Sequence, residues 1–87
     1  MSNFFLANVR IILKPTVSDP QGQTIMAGLK TMGFDSVSDL RAGKFIQIKM
    51  AADDIYVAKA SISQMCDRLL SNPVIENYEF DIDELKH

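Results

Sequence analysis

Phe4-Phe5-Leu6-Ala7-Asn8-Val9-Arg10-Ile11-Ile12-Leu13 is the stretch on which the fold turns. Its odd positions Phe5, Ala7, Val9, Ile11 and Leu13 are all apolar, the two-residue period of a strand with one buried face. Phe4, Leu6 and Ile12 make the second face largely apolar too. Only Asn8 and Arg10 interrupt it, so the strand is expected to be covered, at least in part, on both sides. Pro15 has no N–H to give to a ladder and ends the strand.

Beyond it, Asp19 stands as a helix N-cap with Pro20 at the first helical position, where a fixed φ and a missing donor cost nothing. Ile25, Leu29 and Met32 recur at i, i+4 and i+7 with Met26 alongside, and Gly33 sits where a left-handed C-terminal cap belongs. Gly28 weakens that helix by about 1 kcal/mol relative to Ala, which suggests a close packing contact. Residues 37–41 then read as a short strand, Ala42-Gly43 as a hairpin turn, and residues 45–50 as the return strand with Ile46, Ile48 and Met50 on one face. Asp53 or Asp54 opens a second helix whose stripe Ile55, Ala58, Ile62, Met65, Cys66 and Leu69 runs to Ser71-Asn72-Pro73. About 17 residues at 1.5 Å each make it roughly 25 Å long. Residues 74–82 alternate Tyr78, Phe80 and Ile82 against Asn77, Glu79 and Asp81 as a last strand.

The order β-α-β-β-α-β predicts an α+β domain of ferredoxin-like type, a two-layer sandwich with both helices on one face of an antiparallel sheet. At 87 residues there is room for one domain, 1–87, and one core. Phe4, Leu6, Ile12 and Phe45 then fall on the uncovered sheet face, and an apolar patch of that kind implies self-association as a homodimer or larger assembly. The chain's own tail around Leu85 is the alternative cover.

Composition narrows the function. With 47% apolar and 23% charged residues the chain is an ordinary folding sequence. Nine basic against eleven acidic residues, with no basic run, leave no footprint for nucleic acid. Glu76, Glu79, Asp81, Asp83 and Glu84 read as the solvated side of the last strand. No apolar run approaches the roughly 20 residues that span a bilayer, and no secretory signal is visible, so a cytoplasmic location is expected. The single Cys66 belongs to the helical stripe and reads as core.

No constellation for catalysis or metal binding emerges. His87 is alone at the terminus, no second His or Cys completes a zinc set, and Ser61, Ser63 and Ser71 lack a base placed to activate them. Asp53 and Asp54 are adjacent at a helix start, which suits capping and the helix dipole better than paired-carboxylate chemistry. Two segments stand out instead. Asp19-Pro20-Gln21-Gly22 presents free backbone N–H groups, yet capping accounts only for Asp19 and Pro20. Arg41-Ala42-Gly43-Lys44 places two cations across a turn, where they could meet acidic groups or phosphate.

Asp19-Pro20-Gln21-Gly22, then Arg41 followed by Gly43-Lys44, then Met65 to Tyr78 with Asn72-Pro73-Val74-Ile75-Glu76 inside it, together resemble the PurS family, the small subunit of bacterial and archaeal phosphoribosylformylglycinamidine synthase. The resemblance spans nearly the whole chain. Thr16-Val17-Ser18 and Pro73 depart from the usual family residues. The resemblance implies a part in purine biosynthesis, the ATP-dependent conversion of formylglycinamide ribonucleotide to formylglycinamidine ribonucleotide with glutamine nitrogen. It implies no catalytic residue and no cofactor in this chain, with ATP and Mg used by a partner. The implied partners are a second copy of the chain, a glutaminase subunit PurQ and a synthetase subunit PurL, which the small subunit bridges so that ammonia passes between protected sites. It implies partner contacts at Asp19, Pro20, Gln21, Gly22, Arg41, Gly43 and Lys44, and a second set at Asn72 and Glu76. A stand-alone regulatory module of ACT type is the competing reading of the same element order.

Overall fold

The computed structural model describes residues 3–85, so His87 and Lys86 lie outside the described residues. The element order is β1 (Asn3–Leu13), α1 (Pro20–Thr31), β2 (Gly43–Ala52), α2 (Ile55–Met65), a π-helical turn (Cys66–Leu70) and β3 (Glu76–Leu85). The sheet is antiparallel with strand order β2-β1-β3. The quoted opening stretch is therefore its central strand, with Val9 opposite Ile46 on one side and Phe80 on the other.

The α+β class and the antiparallel sheet are as expected, but the described residues form three strands. Residues 37–41 form no strand, and the N–H groups of Val37 and Leu40 bond locally instead of joining a ladder. Val37 N–H donates to the Phe34 carbonyl, Leu40 N–H to the Asp39 carboxylate, and Arg41 reaches carbonyls in the loop before α1. β3 begins two residues later than expected and runs on to Leu85. Residues 72–75 make a turn instead, closed by the Ile75 and Glu76 N–H groups on the Asn72 carbonyl at 3.0 and 2.7 Å.

One sheet face carries the core. Phe5, Ala7, Val9 and Ile11 are buried beneath Ala58, Ile62 and Cys66 of α2 and its π turn. Asp54, not Asp53, caps α2, accepting from Val57 N–H at 2.9 Å. The expected stripe fails at its end, where Leu69 is 83% exposed. The Ser71 N–H bonds the Cys66 carbonyl in the i to i+5 spacing of a π turn, which advances each residue by a smaller angle than an α-helix. Leu69 swings out and Leu70 takes the place against the core. Replacing Leu69 by Ala is expected to change stability by less than about 0.5 kcal/mol, and Leu70 by Ala to cost about 1–2 kcal/mol, in paired denaturant melts.

The second departure is α1. Among the described residues it makes no extensive contact with any strand, and the extensive helix packing on the sheet comes from α2. Ile25 and Met32 of its apolar stripe are 43% and 72% exposed. Nothing lies within 4 Å of a Cβ placed on Gly28, so the close contact anticipated there is absent in the single chain. The molecule measures 55 × 30 × 14 Å, with a radius of gyration of 16.8 Å. A compact domain of this length has about 12 Å.

The open sheet face holds Phe4, Leu6, Ile12 and Phe45 as expected, but a polar ladder divides them. Gln47 donates to Asn8, Asn8 donates to Asp81, and Arg10 bridges Glu79 and Asp81 at 2.9 and 3.0 Å. The Asn8 amide and the Arg10 guanidinium hold the Asp81 carboxyl below the usual range. Leu85 does not fold over this patch. It lies in β3 beside Phe4, which is still 38% exposed. No helix among the described residues is long and apolar enough to cross a membrane.

Candidate functional site: the end of the sheet where β1 finishes

β1 runs antiparallel to both neighbours, so its C-terminal end meets the N-terminal ends of β2 and β3. Ile12 pairs with Gly43, and Leu13 with Glu76. The start of α1 is fastened to the same place. The partner contacts that the resemblance implies, from Asp19 to Glu76, thus gather at one end of the sheet. A depression of about 220 Å³ there is lined by Leu13, Asp19, Gln21, Gly43, Lys44 and Glu76 among others.

Asp19 holds this end together. One carboxylate oxygen accepts from Gly22 N–H at 3.0 Å as the N-cap of α1, and the other from Ala42 N–H at 2.8 Å across 23 residues. Its residue is only 4% exposed. The Ala42 and Gly22 N–H groups, and after them the positive charge of Arg41, lower its carboxyl pKa below the ordinary value. A depressed carboxyl contributes stability above its unfolded pKa of about 4 that is lost as pH falls through the lower folded value. Asp19→Asn, which cannot accept at both positions as a carboxylate does, is expected to melt roughly 5 °C lower at pH 7. The gap to wild type should narrow below pH 4, as followed by circular dichroism from pH 7 to pH 2.

Gly22 acquires a local reason that the sequence did not display. A Cβ there would run into the Asp19 carboxylate, with its carbon 2.9 Å away, and would stand 3.2 Å from Ala42 N. Gly43 is confined in the same manner, since a Cβ would strike the Ile11 carbonyl of β1. Both glycines permit close approach of backbone.

Arg41 is equally committed inward. Its Nη2 donates to the carbonyls of Lys14 at 2.7 Å, Val17 at 3.1 Å and Leu13 at 3.3 Å, tying the loop before α1 to the start of β2. Residues 41–44 accordingly form no isolated hairpin tip with two free cations. Lys44 is the outward one, 56% exposed, with Nζ 3.8 Å from Glu76 Oε2. The other oxygen of Glu76 accepts from Asn72 N–H at 2.7 Å, and Asn72 Oδ1 accepts from Val74 N–H at 3.1 Å. Asn72 and Glu76 are thereby joined to the first set through Lys44. Pro20 and Gln21 are exposed at the start of α1.

Sequence reasoning missed three contributors. Ala42 takes part through its backbone N–H, which carries no residue signature. Ser71 is buried at 7% and donates its hydroxyl to the Cys66 carbonyl, closing the π turn at 2.9 Å. The carbonyls of residues 13, 14 and 17 receive Arg41. Only Ser71 was visible beforehand, as part of the stop after the second helix.

The family model described as "PurS: Phosphoribosylformylglycinamidine (FGAM) synthase" matches residues 6–84. The phosphoribosylformylglycinamidine synthase subunit PurS of Synechocystis sp. is 41% identical over 86 residues, covering 99% of this chain and 86% of the relative. Among solved structures, Methanocaldococcus jannaschii PurS superposes with a TM-score of 0.84 at 35% identity, over 94% of this chain and 99% of that one. A chain of the PurLQS structure from Thermotoga maritima gives 0.82 at 33% identity, over 94% and 98%. With a family model covering nearly all of its length, and relatives of matching size, this chain belongs to the PurS family of phosphoribosylformylglycinamidine synthase.

Proposed function

We propose that this protein serves as the small subunit of a phosphoribosylformylglycinamidine synthase, acting as a homodimer that brings a glutaminase subunit PurQ and a synthetase subunit PurL together in the cytoplasm. The observation that carries this reading is the likeness, over 94% of the chain, to a chain of the PurLQS structure. In this reading the subunit supplies no reacting group. ATP and Mg act on the synthetase subunit, glutamine is split on the glutaminase subunit, and the small subunit holds the two in a relation that keeps ammonia from equilibrating with water. The match to the PurS model over residues 6–84 leaves the ACT-type regulatory reading without comparable support.

The partner surface assigned here is the outer side of the fastened sheet end, presented by Pro20, Gln21, Lys44 and Asn72. Asp19, Gly22, Arg41, Gly43 and Glu76 shape and support it from behind. Gln21→Ala with Lys44→Ala touches neither the Asp19 bonds nor the Arg41 clamp. The double variant is expected to fold and melt as wild type does. In a reconstituted mixture with both partner subunits, its glutamine-dependent turnover should fall roughly tenfold at limiting subunit concentration, equivalent to about 1.4 kcal/mol of lost assembly energy. Turnover equal to wild type would remove this end from the partner interface.

A further inference from the structure

We propose that the depression at the fastened sheet end takes one carboxylate from an aspartate or glutamate side chain of a partner subunit, received by the Lys44 ammonium and the Gln21 carboxamide. This rests on the partner surface proposed above and names the chemistry that the partner brings to it.

Of the described residues lining the depression, three are charged: Asp19, Lys44 and Glu76. Two of these are already committed. The Asp19 carboxylate accepts from Gly22 N–H on one oxygen and Ala42 N–H on the other. Glu76 accepts from Asn72 N–H at 2.7 Å, and its side chain is 15% exposed. The neighbouring Arg41 guanidinium is committed too, to three backbone carbonyls. Lys44 differs from all of them. Its side chain is 56% exposed, and its ammonium lies 3.8 Å from Glu76 Oε2, well beyond the roughly 3 Å of a direct hydrogen bond. Its donors are left for another acceptor. Gln21 is exposed, and among the described residues its carboxamide makes no hydrogen bond.

The loose pair with Glu76 holds the ammonium beside the depression, so less side-chain freedom is lost on docking. Glu76 retains its bond from Asn72 N–H when the ammonium turns to a new acceptor. Ile11 and Leu13 line the same depression, and apolar walls strengthen an ion pair formed against them. The charge count separates a carboxylate from a phosphate. One cation with free donors, set between two carboxylates, suits a single negative charge. A phosphate monoester, at roughly −1.5 to −2, would face Asp19 and Glu76 across a space of only about 220 Å³.

The source is a protein side chain and not a free acid. The depression adjoins Pro20 and Asn72 on the surface proposed for partner contact, and an exposed pair in water is worth little. A docked surface closing over Lys44 removes that water and gives the pair its strength.

The test compares Lys44→Arg, Lys44→Gln and Lys44→Glu in a reconstituted mixture with the glutaminase and synthetase subunits. It reads how much small subunit gives half-maximal glutamine-dependent turnover. Lys44→Gln is expected to need roughly fivefold more, Lys44→Glu roughly thirtyfold more, and Lys44→Arg to stay within about twofold of wild type. The wild-type requirement should climb with salt, and that of Lys44→Gln should climb less steeply, because a screened pair has been removed. If Lys44→Glu melts lower than wild type, Lys44→Gln carries the comparison, since it introduces no charge. Lys44→Gln equal to wild type, Lys44→Arg as poor as Lys44→Gln, or parallel salt responses would each overturn the carboxylate contact. A changed mass of Lys44→Gln in light scattering would also overturn it, by placing the acid on a second copy of this chain. So would a melting point raised by acetate over chloride at equal ionic strength in wild type but not in Lys44→Gln, the mark of a site for free acids. Failure of the wild-type chain to raise turnover of the two partners would sink the proposed function as well. If the wild type raises turnover and Gln21→Ala with Lys44→Ala is impaired while Lys44→Gln is not, the partner surface stands and the carboxylate contact falls.

Discussion

Gly22→Ala is expected to lower stability by about 1–3 kcal/mol through overpacking, a large share of what an 87-residue domain possesses. The methyl group has nowhere to go. On one side is the carboxylate of Asp19, on the other the backbone of Ala42. Relief requires that the carboxylate move, and its movement releases both the first turn of α1 and the start of β2. The effect should therefore be coupled and not local. In the Asp19→Ala background the obstructing group is gone, so adding Gly22→Ala should cost clearly less than it does in the wild type. Denaturant melts of the four proteins in the cycle measure this. If the two substitutions add independently, the close approach is not what requires glycine. The same collapse should disturb the outer surface at Gln21 and Lys44, so glutamine-dependent turnover should fall with stability.

Ile62→Ala should cost about 2–5 kcal/mol. Ile62 is completely buried and meets Ala7, Val9, Ile11 and Cys66, the place where α2 crosses the central strand. Among the described residues the extensive helix packing on the sheet comes from α2 alone, so little relaxation is available. A loss of 3 kcal/mol corresponds to a drop of roughly 15 °C in a domain of this size. Ile62→Val should cost only about 0.5–1.5 kcal/mol. The buried thiol of Cys66 provides a second readout. Burial, followed by the neighbouring charge of Asp67, raises its pKa above the ordinary value, so it reacts with alkylating reagents only when this core opens. Faster alkylation in Ile62→Ala than in Ile62→Val is expected. Equal rates would mean that Cys66 is exposed by a motion elsewhere than at this contact.

The two changes probe different kinds of information. Ile62 belongs to a stripe that periodicity reveals, and its burial follows from its spacing to Ala58 and Cys66. Gly22 looked unnecessary in the sequence, because an N-cap needs only Asp19, and Pro20 explains itself. Its reason is the Asp19 carboxylate three residues before it, held against it by the Ala42 N–H 20 residues further on. Arg41 is a parallel case. Two cations about a turn suggest an exposed anion contact, but the guanidinium is consumed by three carbonyls at the end of β1 and in the loop after it. The motif residues were legible as a group, since they converge at one end of the sheet, while their division into supports and surface was not.

The sequence by itself determined the central strand, both helix starts, the positive φ of Gly33 and the α+β class. These depend on period, caps and turn residues within a few positions of one another. Tertiary structure alone decided the rest. It denied residues 37–41 a strand by spending their hydrogen bonds elsewhere, rotated Leu69 outward through a π turn closed by Ser71, and divided the open face with a ladder from Gln47 to Glu79. It also left α1 without extensive contact to the sheet, its start fastened by one carboxylate shared between two backbone amides 20 residues apart, and no local pattern records a contact made over that separation.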